Sequence, residues 1–423
     1  MKNTKYYTVL EFFLLLSIVS AVFLVDLKQT KFFGDEATWI QRSSHFEDFF
    51  TGNFSAFHPK TQRDKYLELT MPTIPEYIIG LSRRMGGYDA QQVKKIKPIT
   101  SEKAYEQTSN YPPIDMLWWS RLLPTLLSIA STLLMFYLIK VSFNTLAGYI
   151  WMILTLINTW LINTLQRAMA ESPLLFFIVL TILAGFLAIK SFKDNAKSIR
   201  YSLLWLVAFG IFTGLAGQSK SNGLTMFPAG IVILLLLTMR CQNGLRWRFF
   251  FLGLAGLTIA TAVFFVVPDP LLWNDPIRRT ILVFQYRVKV MHGSQAESNP
   301  RRIIKSWEEG VQIAFNQIFS DSTPIQFAGA NYLKMILAGI GFTAFVSQIW
   351  RKSETMNAGA LSILIVGLFI SIPSLFTYLN IQRYYFPPVY FASILIAVGA
   401  ERLLSYAMYR IKRPKRFTPP SEA

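Results

Sequence analysis

Residues 122–139 read LLPTLLSIASTLLMFYLI, a run without a single charged side chain, closed by Arg121 at one end and Lys140 at the other. As a helix such a run covers most of the roughly 30 Å of hydrocarbon in a bilayer, and in lipid only a helix or a closed barrel satisfies the backbone. Similar runs are read at Tyr7–Val25, Ala147–Leu165, Pro173–Ile189, Leu203–Ala216, Leu224–Met239, Phe249–Val267, Leu333–Ile349, Ala358–Tyr378 and Phe386–Leu404. The expected fold class is therefore an all-α polytopic membrane protein of about ten transmembrane helices. The composition agrees. Of 423 residues 52% are hydrophobic and 16% charged, against about 25% charged in an average soluble chain. The first run exceeds a signal-peptide core and is followed by Asp26 and Lys28 instead of a small-residue cleavage site, so it is read as a retained span. The single cysteine, Cys241, rules out an intramolecular disulfide or a cysteine metal cluster.

The net charge of +18 comes from 42 Lys+Arg against 24 Asp+Glu. A basic balance can signal nucleic acid, but here its location points elsewhere. If Lys2 and Lys5 are cytoplasmic, the same side receives Lys140, the Lys190–Arg200 cluster, the Arg240–Arg248 cluster, Arg351 and Lys352, and the tail RIKRPKR (410–416). The opposite short connections hold only Arg167, Lys220 and Arg383. This is the positive-inside pattern, with both termini cytoplasmic, and it excludes a nucleic-acid platform. The tail is either a plain topology anchor or also a contact to anionic lipid.

Residues 1–423 form one membrane domain, with long outer loops at 26–121 and 268–331 and a basic cytoplasmic tail at 405–423. Met71–Gly87 places Ile74, Tyr77, Ile78 and Leu81 at helical spacing, and Arg301–Phe319 does the same with Ile303, Ile304, Trp307, Val311 and Phe315. Each is expected to form an amphipathic interface helix.

Polar residues on the outer face each carry two readings. Asp35 and Glu36, in FFGDEATW (32–39), are either the start of a helix at Ala37 capped by Asp35, or adjacent carboxylates of which one accepts a proton and the other tunes it or holds a cation. In QRAMAESP (166–173), Ser172 and Pro173 read as N-cap and first residue of the fourth span. Glu171 then either complements the helix dipole or, with Arg167, marks a site at the mouth of two spans. Lys220 is a snorkelling lysine or a phosphate contact. Arg383, beside Tyr384 and Tyr385, is an aromatic-belt anchor or a two-point phosphate ligand, and Arg121 has the same alternatives. His58 and His292 are further outer-face candidates for metal or acid roles, without a ligand motif to support them. No Walker loop, GxGxxG or GxSxG motif is present.

The ordered set GDEATW (34–39), Arg121–Lys140, RAMAESPLLFFIVL (167–180), GLAGQSKSNGLTMFPAG (214–230), VPDPLLWNDPIRR (267–279) and RYYFPPVYFASILIAVGAERLL (383–404) resembles the GT-C glycosyltransferases, in particular the branch of protein O-mannosyltransferases and lipid A aminoarabinose transferases. The resemblance implies a polyprenyl-phosphate-linked sugar donor, transfer on the outer face with inversion, and a glycan, lipid or protein acceptor. It puts the acidic motif of the first outer loop on Asp35 and Glu36 and a second acidic position on Glu171. Where many relatives carry an HPP-like triplet, this chain has HPK at 58–60. The expected scheme takes Asp35 as the base, Glu36 and Glu171 as orienting groups or as ligands of a divalent cation (Mg or Mn), and Lys220, Arg383, Arg121 and Tyr384 as donor-phosphate ligands. Arg167, His58 and His292 are additional candidates, and an apolar groove takes the prenyl chain. The expected location is an integral membrane protein, in the plasma membrane if the source is bacterial or archaeal. The rivals are a lipid-linked sugar flippase or secondary transporter, for which neither repeated halves nor midplane charges are found, and a catalytically silent GT-C homologue.

Overall fold

The computed structural model describes residues 2–58, 65, 68–97, 102–107, 112–192, 196–241, 243–293, 296–297, 300–349 and 354–412. Arg351, Lys352, Lys193 and the tail beyond Lys412 lie outside the described residues. In chain order the helices are α1 Lys2–Leu24, α2 Gly34–Arg42, α3 His45–Phe50, α4 Thr73–Met85, α5 Ala90–Lys94, α6 Glu102–Gln107, α7 Ile114–Ser142, α8 Thr145–Leu156, α9 Thr159–Gln166, α10 Glu171–Ser191, α11 Ala196–Gly217, α12 Met226–Met239, α13 Asn243–Val266, α14 Pro276–His292, α15 Trp307–Asp321, α16 Ala330–Ile349, α17 Glu354–Leu375 and α18 Phe386–Lys412. The chain is an all-α polytopic membrane protein: among the described residues nine helices are long and apolar enough to cross a bilayer, and the bent pair α8–α9 makes a tenth.

The spans pack through small residues, as expected where lipid removes the hydrophobic drive between helices. Gly341 on α16 meets the Leu395 carbonyl of α18, and Gly399 on α18 meets the Leu337 carbonyl of α16, so closely that a Cβ at either would collide with backbone. Some polar side chains inside the bundle pair across helices. The Trp151 indole donates to Ser393 Oγ at 3.1 Å, and at one end of the bundle Glu11 accepts from Lys140 Nζ at 2.7 and 2.6 Å and from Tyr149 at 2.7 Å.

Four local expectations need correction. The run Ala147–Leu165 is not one straight span: α8 and α9 meet at a 72° bend. Asn158 makes the break, accepting from the Leu161 N–H at 3.1 Å to start α9 and donating to the Asp321 carbonyl at 2.7 Å. The helix after the first span begins at Gly34, not Ala37, and the group that closes its first turn is Glu36, which accepts the Phe33 N–H at 3.0 Å. Likewise α10 begins at Glu171, and Ser172 donates to the Leu165 carbonyl at 2.6 Å instead of capping the helix. The long connection 268–331 holds a helix not expected from its sequence, α14, besides the expected one, α15.

The helix expected near Met71–Gly87 exists as α4, with its polar face turned inward. Glu76 and Arg83 are fully buried, while Leu81 and Met85 are 45% and 57% exposed. Arg83 donates to the Ser43 carbonyl and hydroxyl, to Glu47 and to the Tyr88 carbonyl. Arg42 bridges Glu68 and Glu76, and His45 Nδ1 lies 2.8 Å from Glu76. An apolar rim outside and ion pairs inside suit a helix lying at a membrane interface. The start of α4 is pinned to two connections: the Ile74 N–H donates to the Gln218 carbonyl at 3.2 Å and the Tyr77 hydroxyl to the Pro268 carbonyl at 2.7 Å.

Candidate active site

The first turn of α2, the bend 167–170, the turn 218–220 and the start of α18 converge at one end of the bundle around a cavity of about 220 Å³. One face of α2 lines it with Asp35, Thr38 and Trp39, which share that face because three- and four-residue steps return to the same side of a helix. Opposite stand Glu171, Lys220, Arg287, Arg383 and Tyr384. Asp35 is paired with Arg383 through Oδ2 and Nη1, and its side chain is 43% exposed. Glu171 is almost completely buried and accepts from Lys220 Nζ at 3.0 Å through Oε1, while its buried Oε2 has no hydrogen-bond partner in the protein. The Lys220 ammonium lies 5.8 Å from the Tyr384 ring centre. Burial lowers the Lys220 pKa; Glu171 opposes the shift, and Arg383 and Arg287 add to it. Such an ammonium gains from an anion brought beside it.

Glu36 and Arg121 stand apart from this cavity. Both are fully buried, with Arg121 Nε and Nη2 on the two Glu36 oxygens at 2.8 and 2.7 Å. Arg121 Nη1 donates to the Leu27 and Thr30 carbonyls, and Glu36 also accepts the Ala168 N–H at 3.0 Å. The pair ties residues 27–36, α7 and the bend before α10 into one frame. Arg121, expected to hold phosphate, is instead committed to protein groups, and Glu36, expected in the chemistry, is the residue that positions α2 and its neighbour Asp35.

Phe33 extends the site. Its ring has the Arg167 guanidinium 4.5 Å away and that of Arg383 5.7 Å away, a geometry for cation–π attraction. Both arginines line a second cavity of about 570 Å³ that shares Met169, Glu171 and Arg383 with the first. Burial lowers the Arg167 pKa, and its Nε has no hydrogen-bond partner. On another side the first cavity continues, through Lys220, Arg287 and Tyr384, into a mostly apolar groove of about 260 Å³ lined by Phe284 and Val288 of α14 and by Pro373 and Phe376 at the end of α17.

The histidines are not brought into the site. His58 lies by the Phe54 carbonyl at 3.2 Å, and His292 is stacked on Tyr378 at 4.1 Å. The divalent cation finds a poor donor set: Asp35 and Glu171 are the carboxylates of the first cavity, each already paired with a cationic side chain. Among the described residues no three His, Cys, Asp or Glu are grouped to hold a metal ion. The residue missed by sequence reasoning is Arg287, which lines both the first cavity and the apolar groove and donates to the Thr70 carbonyl at 3.1 Å. The signal that could have found its helix is Asp275-Pro276, an N-cap with proline at the first helical position, and Asp275 accepts the Arg278 N–H at 3.1 Å.

The family described as dolichyl-phosphate-mannose-protein mannosyltransferase matches residues 62–269, just under half of the chain. No curated protein matches the sequence. Among solved structures, ArnT from Cupriavidus metallidurans bound to undecaprenyl phosphate aligns over 94% of this chain at 15% identity and a TM-score of 0.54, and its apo form over 97% at 15% and 0.56. The oligosaccharyltransferase of Archaeoglobus fulgidus in its apo form aligns over 96% at 12% identity and a TM-score of 0.53. This chain spans 62% and 63% of the two ArnT chains and 52% of the oligosaccharyltransferase. Over residues 62–269 the chain is thus similar to the dolichyl-phosphate-mannose-protein mannosyltransferase family, and it shares the fold of these ArnT and oligosaccharyltransferase structures.

Proposed function

We propose that the protein is a glycosyltransferase that moves a sugar from a polyprenyl-phosphate donor to a hydroxyl acceptor on the non-cytoplasmic face, with inversion at the anomeric carbon. The observation that carries the reading is the continuity of three environments: an apolar groove, a cluster of Lys220, Arg287 and Arg383 at its inner end, and the half-exposed carboxylate of Asp35. A prenyl phosphate needs the first two together, since its chain belongs with lipid and its phosphate with cations. The positive-inside pattern supports placing this end of the bundle on the outer side.

The acceptor oxygen attacks the anomeric carbon as its proton passes to Asp35. The bond from that carbon to the phosphate oxygen breaks, its electron pair stays on the phosphate, and Lys220 and Arg383 stabilise the developing charge. No step is routed through a metal. Because Arg383 holds Asp35, an incoming phosphate competes for the guanidinium and releases the base. Donor binding thus prepares the carboxylate for the acceptor. Glu171 keeps Lys220 in place, and the interface helices keep water from the reacting carbon.

The test is transfer from an undecaprenyl-phosphate-linked sugar by purified Asp35→Asn protein. Loss of a general base lowers turnover by about 10²–10⁴-fold, with undecaprenyl phosphate bound as tightly as by the parent or more tightly. Turnover near that of the parent would remove Asp35 from the role.

A further inference from the structure

The second cavity points to the class of the acceptor. We propose that it binds a saccharide, so that the hydroxyl attacking the donor belongs to a glycan and not to a peptide side chain or a lipid phosphate. The inference rests on the transferase reading above and adds the nature of the second substrate.

The cavity is about 570 Å³, within the roughly 300–1,000 Å³ range of small-molecule pockets. The α8–α9 bend forms one wall, bringing in Trp160 and Thr164, and α15 with residues 380–383 forms the other. Three primary amides, Gln317, Asn380 and Gln382, line it beside Asp321. Gln382 donates to Asp321 Oδ2 at 2.8 Å and Gln317 to Asn380 Oδ1 at 3.3 Å, and each amide has further donor or acceptor capacity. The buried, unpartnered Glu171 Oε2 stands where this cavity meets the first. Sugar hydroxyls both donate and accept, and their C–H faces lie against aromatic rings. Amides, carboxylates and the indole of Trp160 meet both demands.

The alternatives fit less well. Arg167, Arg302 and Arg383 line the cavity and would favour a phosphorylated acceptor, but Arg383 is paired with Asp35, and Glu171 and Asp321 share the cavity and oppose one. A peptide recognised through its backbone needs an open strand edge. Here the backbone groups at the rim are spent on each other, the Ile304 N–H on the Tyr378 carbonyl at 3.0 Å and the Asn380 N–H on the Arg302 carbonyl at 2.8 Å. Recognition therefore falls to side chains. In the reaction the glycan O–H loses its proton to Asp35, a new C–O glycosidic bond forms at the donor's anomeric carbon, and polyprenyl phosphate leaves with the electrons of the broken bond.

The experiment uses membranes from a strain of the source organism that lacks the gene and is complemented with the full chain. They receive undecaprenyl phosphate carrying a radiolabelled sugar, and the linkage of transferred label is determined. The expected label resists both alkaline β-elimination and mild acid, and methylation analysis finds one newly substituted acceptor sugar. Label released by β-elimination from serine or threonine, or by mild acid from a phosphate, overturns the proposal while leaving the transferase reading intact. No transfer at all overturns both. As a second arm, the Asp321→Asn, Gln382→Ala double variant is expected to raise the acceptor KM at least tenfold with undecaprenyl phosphate affinity unchanged. A fall in that affinity would assign the cavity to the donor and overturn the proposal.

Discussion

Arg121 and Glu36 meet through two parallel hydrogen bonds, 2.8 and 2.7 Å long, with both side chains shut off from solvent. Glu36 lies next in sequence to Asp35, yet the two carboxylates have opposite surroundings: one is locked among protein donors, the other half exposed at a cavity against a cation. A helical turn sends neighbouring side chains about 100° apart, so the adjacency of DE in the sequence puts one acid in the frame and the other in the site.

Glu36→Gln is therefore expected to act on folding. Breaking a buried pair leaves an uncompensated charge and costs about 3–5 kcal/mol, read as a lower melting temperature and a lower yield of monodisperse protein. The fraction that folds should bind undecaprenyl phosphate with the parent's affinity. A stable variant with lost donor binding would instead place Glu36 at the donor.

Arg383→Ala should weaken undecaprenyl phosphate binding by about tenfold or more, the usual worth of a charge-assisted hydrogen bond to an anion. Phe33→Leu, which removes the ring between the Arg167 and Arg383 guanidiniums, should produce a smaller loss, about two- to fivefold, for a partly exposed cation–π contact. Titration in nanodiscs reads both. An unchanged affinity in Arg383→Ala would return this arginine to the role of an aromatic-belt anchor.

Asp269 yields a pH dependence. It lies past the end of α13 and caps the turn Pro270–Leu272, and burial raises its carboxyl from 3.8 to about 7, with Glu76 and Glu68 adding to the shift and the Leu271 N–H and Arg42 opposing it. The folded protein thus holds a proton that the unfolded chain releases. The stability this contributes is whole below about pH 4 and is lost as the pH rises through 7. Asp269→Asn, which copies the protonated form, should melt higher than the parent at pH 8, with an advantage larger than at pH 5 by on the order of 2 kcal/mol. An advantage that does not grow with pH would contradict the assignment.

The spans were legible because an uncharged run of membrane length has few alternatives, and the positions of Lys140 and Glu11 at one end of the bundle follow from the same alternation of helices. Asp35, Glu171, Lys220 and Arg383, read from the sequence as outer-face polar residues, do gather around one cavity. The failures share a cause: apolar averages do not see single side chains that bend or cap. Asn158 breaks the third run because its amide is tied to both Leu161 and Asp321, a contact 163 residues away. Helix α14 stayed hidden because Arg278, Arg279, Arg287 and Lys289 dilute its apolar face. Arg121 was equally unreadable, since a buried arginine and a phosphate-binding one are the same letter until the partner is known.

The most direct test of the central claim, that a prenyl phosphate lies along the groove between α14 and α17 with its headgroup at Lys220 and Arg383, is native mass spectrometry of the purified protein. Parent protein and a Lys220→Met, Arg383→Ala variant are each incubated with undecaprenyl phosphate in a background of bilayer phospholipid. The expected result is one undecaprenyl phosphate retained per parent chain after phospholipid has been stripped, and none on the variant at equal folded yield. Equal retention by the two proteins, or a parent chain that keeps only phospholipid, would contradict it.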